Sequence, residues 1–224
     1  MPERMTAAAL AARLRLQLVT DRELCGARGV ETVVRAAVQG GASCVQLREK
    51  TLATRDFVAC ARALKALLAP LGVPLVVNDR LDVALACGAD GVHVGQGDMP
   101  AAELRRWLPH AIIGLSIESV EQLRAAEQDD AVDYYGASPV FATSTKTDTA
   151  PALGLHGLQA LRVLTRRPLV AIGGINAGNA AQVMAAGADG LAVVGALCAA
   201  DDPAAAARRL RAIVDAREDK HSRA

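Results

Sequence analysis

Two basic side chains stand close together at the end of a short apolar run, where they could bind an anion. Arg48 and Lys50 follow the run Cys44–Leu47 and are two positions apart, so in an extended chain both side chains point to the same side. A guanidinium can bond two phosphate oxygens at once, and an ammonium adds a compact positive charge. The pair predicts a phosphate or diphosphate site. The alternative is a surface ion pair with Glu49, which lies between them.

Two carboxylates follow the next two apolar runs of the chain. Asp79 comes after the run Pro74–Val77, and Asp98 comes after the run Gly91–Val94. Mg²⁺ is commonly held by one or two protein carboxylates together with phosphate oxygens of a substrate. We therefore expect Asp79 and Asp98 to hold Mg²⁺. The alternatives are a helix N-cap for Asp79 and a turn before Pro100 for Asp98.

Glycines and hydroxyl side chains later in the chain predict a second anion site with neutral donors. Gly173-Gly174 and Val194-Gly195 each end an apolar run, and glycine lets backbone N–H groups approach an anion closely. The segment Thr143-Ser144-Thr145 adds three hydroxyls, and Lys146, which follows it, is expected to join Arg48 and Lys50 at the first site. Neutral donors suit a monophosphate, whereas the first site suits a diphosphate. Alternatively, the glycines only relieve crowding at a turn and the hydroxyls only solvate a loop.

Short apolar runs alternate with longer helical patterns along the whole chain. Parallel strands buried on both faces read as continuous apolar runs, whereas helices read as apolar residues at 3.6-residue spacing. The eight predicted strands are Leu16–Val19, Cys44–Leu47, Pro74–Val77, Gly91–Val94, Ile112–Leu115, Tyr134–Val140, Pro168–Ile172 and Gly190–Val194. The predicted helices include Thr54–Leu68, Ser119–Ala126, His156–Leu164, Ala177–Ala186 and Pro203–Val214, the last two with Asn176 and Asp202 as N-caps.

This alternation predicts a single-domain (β/α)₈ TIM barrel. A glycine turn followed by small and apolar residues recurs at Gly41, Gly88 and Gly187, as expected for a repeated βα unit. An open doubly wound sheet is the alternative, but it would need a GxGxxG motif after the first strand, where Thr20-Asp21-Arg22-Glu23 stands instead. The barrel domain is predicted over residues 16–216. Residues 1–15 form an N-terminal extension with a short helix, and 217–224 form a charged, frayed tail.

In such a barrel the carboxyl ends of all strands meet at one mouth, which carries the active site. Polar or glycine residues stand at seven consecutive strand ends, so the residues named above are expected to converge there. Gln46, Asn78 and Ser116 join them from the ends of strands 2, 3 and 5. His93 stands in strand 4, and we interpret it as a hydrogen-bonded core residue rather than a catalyst.

Composition and charge exclude several classes of partner. The chain has 224 residues, with 25 basic and 24 acidic side chains and 2% aromatic residues. Nucleic-acid binding needs a basic stripe and usually stacking aromatics, so no nucleic acid is expected as a partner. No apolar run approaches the roughly 20 residues of a membrane span, so no membrane is expected either. The five scattered cysteines indicate a reducing, cytoplasmic compartment. A homodimer is compatible with this sequence.

The ordered set of motifs resembles the thiamine phosphate synthase family over most of the chain, from about Leu16 to Val214. The motifs are Gln46-Leu47-Arg48-Glu49-Lys50, Asn78-Asp79, His93-Val94-Gly95-Gln96-Gly97-Asp98, Gly114-Leu115-Ser116, Thr143-Ser144-Thr145-Lys146-Thr147-Asp148 and Ile172-Gly173-Gly174-Ile175. The resemblance implies a Mg²⁺-dependent enzyme that joins hydroxymethylpyrimidine diphosphate to a thiazole phosphate, both phosphorylated small molecules. The products would be thiamine phosphate and pyrophosphate.

The resemblance also implies roles for individual residues. Contacts to the pyrimidine substrate are implied for Gln46, Arg48, Lys50, Asn78, Ser116 and Lys146, of which Arg48, Lys50, Ser116 and Lys146 are the catalytic candidates. Asp79 and Asp98 are implied as Mg²⁺ ligands. Contacts to the thiazole phosphate are implied for Thr143, Thr145, Gly174, Val194 and Gly195. Ser144 and Gly173, which lie in the same two loops, are expected to bind substrate as well.

The chain departs from the family pattern at two positions, and two other functions are possible for a barrel of this kind. Ser138-Pro139 stands where the family commonly has Gly-Pro, and Gly195 stands where it commonly has serine. A thiazole tautomerase of the same fold would need neither the carboxylates nor the diphosphate-binding cations. A non-catalytic phosphate-binding barrel would bind ligand without turnover. The intact polar set favours the synthase.

Overall fold

A computed structural model describes residues 4–143 and 151–221 of the chain. Eight parallel strands pair in chain order, and the last strand pairs with the first to close the barrel. The strands are β1 (Leu16–Val19), β2 (Cys44–Leu47), β3 (Leu75–Asn78), β4 (Gly91–Val94), β5 (Ile112–Ile117), β6 (Tyr134–Ala137), β7 (Leu169–Ile172) and β8 (Gly190–Val193). This confirms the predicted TIM barrel.

Helices connect successive strands and form the outer layer. They are α1 (Ala7–Arg13), α2 (Arg22–Cys25), α3 (Val30–Gln39), α4 (Thr54–Leu68), α5 (Leu81–Cys87), α6 (Ala101–Trp107), α7 (Val120–Ala126), α8 (Gly154–Leu164), α9 (Ala180–Ala185), α10 (Gly195–Cys198) and α11 (Pro203–His221). Short 3₁₀ turns stand at Gly26–Arg28 and Ala69–Leu71. None of the helices formed by these residues is both long and apolar enough to cross a membrane.

Two helix boundaries differ from the sequence prediction by three residues or more, the start of α9 and the end of α11. Asn176 is not the N-cap of α9: that position is Asn179, and the Asn176 Oδ1 atom instead accepts a bond from Gly178 N at 2.8 Å within the preceding turn. Helix α11 continues to His221, beyond the predicted end at Val214, because Ala, Arg, Glu and Lys all have favourable intrinsic helix propensities. Asp202 does cap α11, since its Oδ1 accepts from Ala205 N at 2.9 Å.

The strands are buried on both faces, as their continuous apolar runs predict. Outward-facing residues such as Leu18, Val45 and Val77 pack under the helices in one large cluster. Inward-facing residues form a second, smaller cluster inside the barrel, which includes Val19, Cys44, Val76, Tyr134, Val170 and Ala192. Leu10 and Leu14, in and directly after α1, belong to this inner cluster, so α1 closes the end of the barrel opposite the mouth.

A repeated polar contact joins neighbouring strands at their amino ends. Ser43, Asp90, Asp133 and Asp189 each stand directly before an even-numbered strand and accept a backbone N–H bond from the strand before it. The donors are Leu16, Leu75, Ile113 and Leu169, at 2.7–3.1 Å. Each aspartate also pairs with a cation, namely Lys65, Arg105 or Arg162, at 2.5–2.6 Å. Three of these four contacts, before β2, β4 and β8, directly follow the recurring glycine turns.

Asp189→Ala is expected to destabilise the barrel measurably. The change removes the acceptor of the buried Leu169 N–H and the partner of Arg162. A buried group left without its hydrogen bond costs about 1–3 kcal/mol, which urea denaturation would record as a lower free energy of unfolding. The control is Asp130→Ala, because the Asp130 carboxylate is fully exposed and Arg167 keeps its bonds to Asp129 O and the Tyr135 hydroxyl when the ion pair is lost. Equal stability of the two variants would contradict this role for Asp189.

Candidate active site

A cavity of about 430 Å³ opens at the carboxyl ends of the strands. Its volume lies in the range of small-molecule sites. All of the predicted site residues that the structure describes line it, namely Gln46, Arg48, Lys50, Asn78, Asp79, Asp98, Ser116, Thr143, Gly173, Gly174, Val194 and Gly195. Ser144, Thr145 and Lys146 lie outside the described residues. The parallel pairing of the strands is what brings these distant parts of the chain together.

One side of the cavity carries charged groups from the ends of β2 and β3. The Lys50 Nζ atom donates to Asp79 Oδ2 at 2.6 Å, and the Arg48 guanidinium lies 3.8 Å from Asp21 Oδ2. The alternative interpretation of these cations as side-chain partners of Glu49 is wrong, because the Glu49 carboxylate pairs with Arg22 at 2.6 Å. Arg48 and Lys50 therefore remain at the cavity wall.

Asp79 has an unusual backbone conformation. Its φ is 63°, in the left-handed region, and among the described residues it is the one non-glycine with a positive φ. Such strain costs of order 1–3 kcal/mol and tends to be found at functional sites. Asp79 is not the N-cap of α5, since that position is Arg80. Its carboxylate instead lies at the cavity wall beside Lys50.

Asp98 lines the same side of the cavity from the loop after β4. Its Oδ2 atom accepts from Gly95 N at 2.7 Å, so it also has the turn-forming role that the sequence left open. No group of three or more His, Cys, Asp or Glu side chains within 4–143 and 151–221 is arranged to hold a metal ion. The acidic side chains at this wall are thus two carboxylates from neighbouring loops.

The opposite side of the cavity is built from backbone and glycine. Gly173 and Gly174 have φ values of 104° and 63°, and a Cβ on either would come within 2.8 Å of the segment 139–142. Relief of crowding is therefore one reason for glycine here. Gly195 differs, because a Cβ there would meet nothing within 4 Å. Its lack of a side chain leaves open space at the cavity wall.

A hydrogen-bonded chain of two buried side chains and one half-buried side chain lies beneath these two walls. His93 Nδ1 lies 2.9 Å from the Tyr134 hydroxyl, and His93 Nε2 lies 2.9 Å from Ser116 Oγ. This agrees with His93 as a hydrogen-bonded core residue, and it also lines the cavity. Two glycines leave room for the rings of His93 and Tyr134. A Cβ at Gly114 would come within 2.4 Å of both rings, and a Cβ at Gly136 would come within 3.0 Å of the His93 ring.

Tyr134 keeps its proton, so it can donate a hydrogen bond to His93. Burial raises the pKa of the Tyr134 phenol well above its ordinary value, and a hydrogen bond from Gln17 opposes that rise only in part. When the phenol donates to His93 Nδ1, the N–H of a neutral ring is at Nε2 and donates to Ser116 Oγ, which leaves the Ser116 hydroxyl proton to donate to a ligand. In the other tautomer both bonds run in the reverse direction.

Comparison with known proteins identifies the family. The profile of the family described as thiamine monophosphate synthase matches residues 16–197. The thiamine-phosphate synthase of Albidiferax ferrireducens is 63% identical over 205 residues, which cover 91% of this chain and 93% of that protein. This chain belongs to the thiamine monophosphate synthase family. It is accordingly an enzyme of the kind that transfers an alkyl group.

Further relatives agree with this assignment to the thiamine monophosphate synthase family. The thiamine-phosphate synthase of Chloroflexus aurantiacus is 52% identical, over 92% of this chain and 95% of that protein. The solved thiamine phosphate pyrophosphorylase of Pyrococcus furiosus superposes with a TM-score of 0.86 at 39% identity, over 92% of this chain and 98% of the other. A solved 3-hexulose-6-phosphate synthase, at 21% identity and a TM-score of 0.63, shares the fold alone.

Two polar side chains of this family member lie deep in the barrel and line the cavity, although the sequence analysis did not single them out. Gln17 and Tyr134 are almost completely buried inside the barrel. The available signal is a polar side chain within an apolar strand, because Gln17 interrupts the run Leu16–Val19 at an inward-facing position. The prediction of site residues from the carboxyl ends of the strands misses these two, because both side chains lie inside the barrel, below its mouth.

Tyr134→Phe is expected to lower both stability and activity, because it removes the hydroxyl that bonds His93 and thereby leaves Ser116 less well oriented. Loss of a buried hydrogen-bond partner costs about 1–3 kcal/mol. The neighbouring Tyr135 is the matched control: its hydroxyl bonds Arg167 at 2.7 Å on the outside of the barrel. Tyr135→Phe should lower the free energy of unfolding but leave turnover unchanged. Unchanged turnover in Tyr134→Phe as well would exclude the orienting role.

Proposed function

We propose that this enzyme joins hydroxymethylpyrimidine diphosphate to a thiazole monophosphate, which gives thiamine phosphate and pyrophosphate. The observation that carries the proposal is the division of one cavity into a charged wall and a neutral wall. The names of the relatives, thiamine-phosphate synthases, support the same reaction.

The charged wall suits the diphosphate of the pyrimidine substrate. Arg48 can bond two phosphate oxygens and Lys50 adds a point charge. Lys146 is proposed as a second lysine for this group. Gln46, Asn78 and Ser116 are proposed to contact the pyrimidine ring, and all three line the cavity next to this wall.

The neutral wall suits the monophosphate of the thiazole substrate. Gly173 and Gly174 allow close approach of a ligand to the backbone, and Val194 and Gly195 line the cavity at the carboxyl end of β8. Loops after strands 7 and 8 hold a phosphate in many barrels of this type. The hydroxyls of Thr143, Ser144 and Thr145 are proposed to complete this site.

The residues at the charged wall fit a Mg²⁺ ion that is bound together with substrate. Mg²⁺ takes one or two protein carboxylates plus phosphate oxygens, and Asp79 and Asp98 supply two carboxylates from neighbouring loops. The contact between Lys50 and Asp79 places a positive charge at one of these carboxylates already. When bound, the ion would neutralise charge that develops on the leaving diphosphate.

The proposed reaction needs no protein nucleophile. The bond between the methylene carbon and the diphosphate oxygen breaks, and its electron pair leaves with the diphosphate. The electron-rich pyrimidine ring stabilises the resulting cation, and the thiazole nitrogen then forms the new carbon–nitrogen bond. Arg48 and Lys50 stabilise the leaving negative charge, and the two walls hold the reactants in line.

A reducing compartment fits this enzyme, and we propose the cytoplasm. All five cysteines are free thiols in the structure, and Cys25, Cys44 and Cys198 are buried. Burial raises the pKa of the Cys44 thiol to about 12, so that thiol stays protonated and unreactive.

The experiment that tests the proposal is product formation from the two substrates with and without Mg²⁺. We expect thiamine phosphate and pyrophosphate to form in equal amounts, and only when Mg²⁺ is present. Conversion of the thiazole precursor to its aromatic isomer, without any condensation product, would instead assign a tautomerase.

Asp98→Ala is expected to lower kcat/KM at least about 10²-fold, the scale of lost transition-state electrostatics. Since Asp98 also bonds Gly95 N, Asp98→Asn serves as a second variant that can keep this bond and lose the charge. Asp82→Ala is the control, because Asp82 pairs with Arg80 on the exposed surface of α5. Activity of Asp98→Asn within a few-fold of the wild-type value would remove Asp98 from the metal site.

Gly195→Ser is expected to lower the KM for the thiazole phosphate. A serine fits because nothing lies within 4 Å of its Cβ, and its hydroxyl would add a bond to a charged phosphate. Such a bond contributes about 1.5 kcal/mol, or roughly tenfold in affinity. The KM for the pyrimidine substrate should stay the same and serves as the internal control. An unchanged thiazole-phosphate KM would mean that the backbone alone binds the phosphate.

A further inference from the structure

Glu49 lies between the two cations of the charged wall but points away from the cavity. Its side chain is only 5% exposed, and its Oε2 atom lies 2.6 Å from Arg22 Nε. The other oxygen, Oε1, accepts from Lys50 N at 3.0 Å, from Thr51 N at 3.4 Å and from Thr51 Oγ1 at 3.3 Å. The Glu49 carboxylate thus bonds the turn that carries Lys50 and, through Arg22, links this turn to the loop after β1.

The same loop also bonds Arg48. Thr20 Oγ1 accepts from Arg48 N at 3.0 Å and donates to Arg48 O at 3.3 Å. The Asp21 carboxylate lies 3.8 Å from the Arg48 guanidinium. Three consecutive residues after β1, Thr20 to Arg22, therefore contact the segment 48–50.

Glu49 is charged despite its burial. Burial by itself would raise the pKa of the carboxyl, but the Arg22 bond and the Lys50 and Thr51 N–H groups outweigh it and hold the pKa below its usual value. The charge of Glu49 in turn raises the pKa of Arg22. A buried charge of this kind is costly when its partner is removed, so the pair strongly favours one loop arrangement.

We propose that Arg22 and Glu49 are positioning residues that hold Lys50 and Arg48 in the geometry that binds a diphosphate. This inference rests on the proposed function of the charged wall. Neither residue touches the ligand: Arg22 and Glu49 do not line the cavity, whereas Arg48 and Lys50 do. Their loss should therefore weaken the diphosphate site and leave the phosphate site on the opposite wall intact.

The test measures binding of inorganic pyrophosphate with Mg²⁺ by calorimetry, together with the KM for each substrate. Glu49→Gln keeps the shape of the side chain and loses its charge, and Arg22→Met removes the partner. Each is expected to weaken pyrophosphate binding roughly tenfold, as for loss of a charged hydrogen bond. Misplacement of the cations should lower kcat/KM by up to about 10²-fold. The KM for the thiazole phosphate should stay within twofold.

Two further variants separate positioning from general stability. Arg22→Lys can still pair with Glu49 and should recover part of the pyrophosphate affinity. Arg35→Met is the matched control, because it breaks an exposed arginine–glutamate pair with Glu31 at 3.1 Å on α3. It should change neither ligand affinity nor kcat/KM.

These measurements test two claims separately: the positioning role of Arg22 and Glu49, and the proposed function of the charged wall. Pyrophosphate affinity within twofold of wild type in both Glu49→Gln and Arg22→Met would overturn the positioning role. A parallel loss of both ligand affinities, in step with thermal stability, would overturn it too, since that marks a structural role. Failure of the wild-type enzyme to bind pyrophosphate would instead contradict the proposed function itself.

Discussion

Parallel pairing of each strand with both neighbours, including β8 with β1, is the constraint on which the rest of this structure depends. Because side chains alternate along a strand, this pairing fixes which residues face the inside of the barrel and which face the helices. It also brings all eight carboxyl ends to one mouth. Arg48, Asp79, Asp98 and Gly195 are far apart in the sequence, and strand pairing is what places them around one cavity.

The inside of the barrel, which strand pairing defines, also contains polar side chains. His93, Tyr134 and Gln17 are almost completely buried, so each needs hydrogen-bond partners to offset the loss of water. Gly114 and Gly136 provide the space for the rings of His93 and Tyr134. The contacts of His93 with Tyr134 and Ser116, and the bond that Gln17 Nε2 donates to Cys44 Sγ at 3.3 Å, provide the partners. Apolar residues and α1 fill the opposite end of the barrel. The same interior thus stabilises the fold at one end and orients a cavity side chain at the other.

Much of the fold and of the cavity wall could be predicted from the sequence, because buried parallel strands leave apolar runs and barrels place functional residues directly after them. This reasoning gave the bounds of β1, β2, β4 and α4, and all twelve predicted site residues that the structure describes line the cavity. It could not find contacts between residues distant in sequence, such as the pair of Glu49 with Arg22. It was wrong at Asn176, because the side chain of that residue accepts a bond from Gly178 N in a local turn instead of capping a helix. Gln17 and Tyr134 lie within strands and not after their carboxyl ends, so a prediction based on strand ends does not include them.

The central claim is that one cavity holds two anionic groups at once, a diphosphate on the charged wall and a monophosphate on the neutral wall. Calorimetric titration tests it most directly: thiazole phosphate is titrated into the protein alone and into the protein saturated with pyrophosphate and Mg²⁺. The account predicts one molecule of thiazole phosphate bound per chain in both titrations, with similar affinity. Competition between the two ligands, with thiazole-phosphate binding lost at saturating pyrophosphate, would mean that they share a single anion site and would contradict the account.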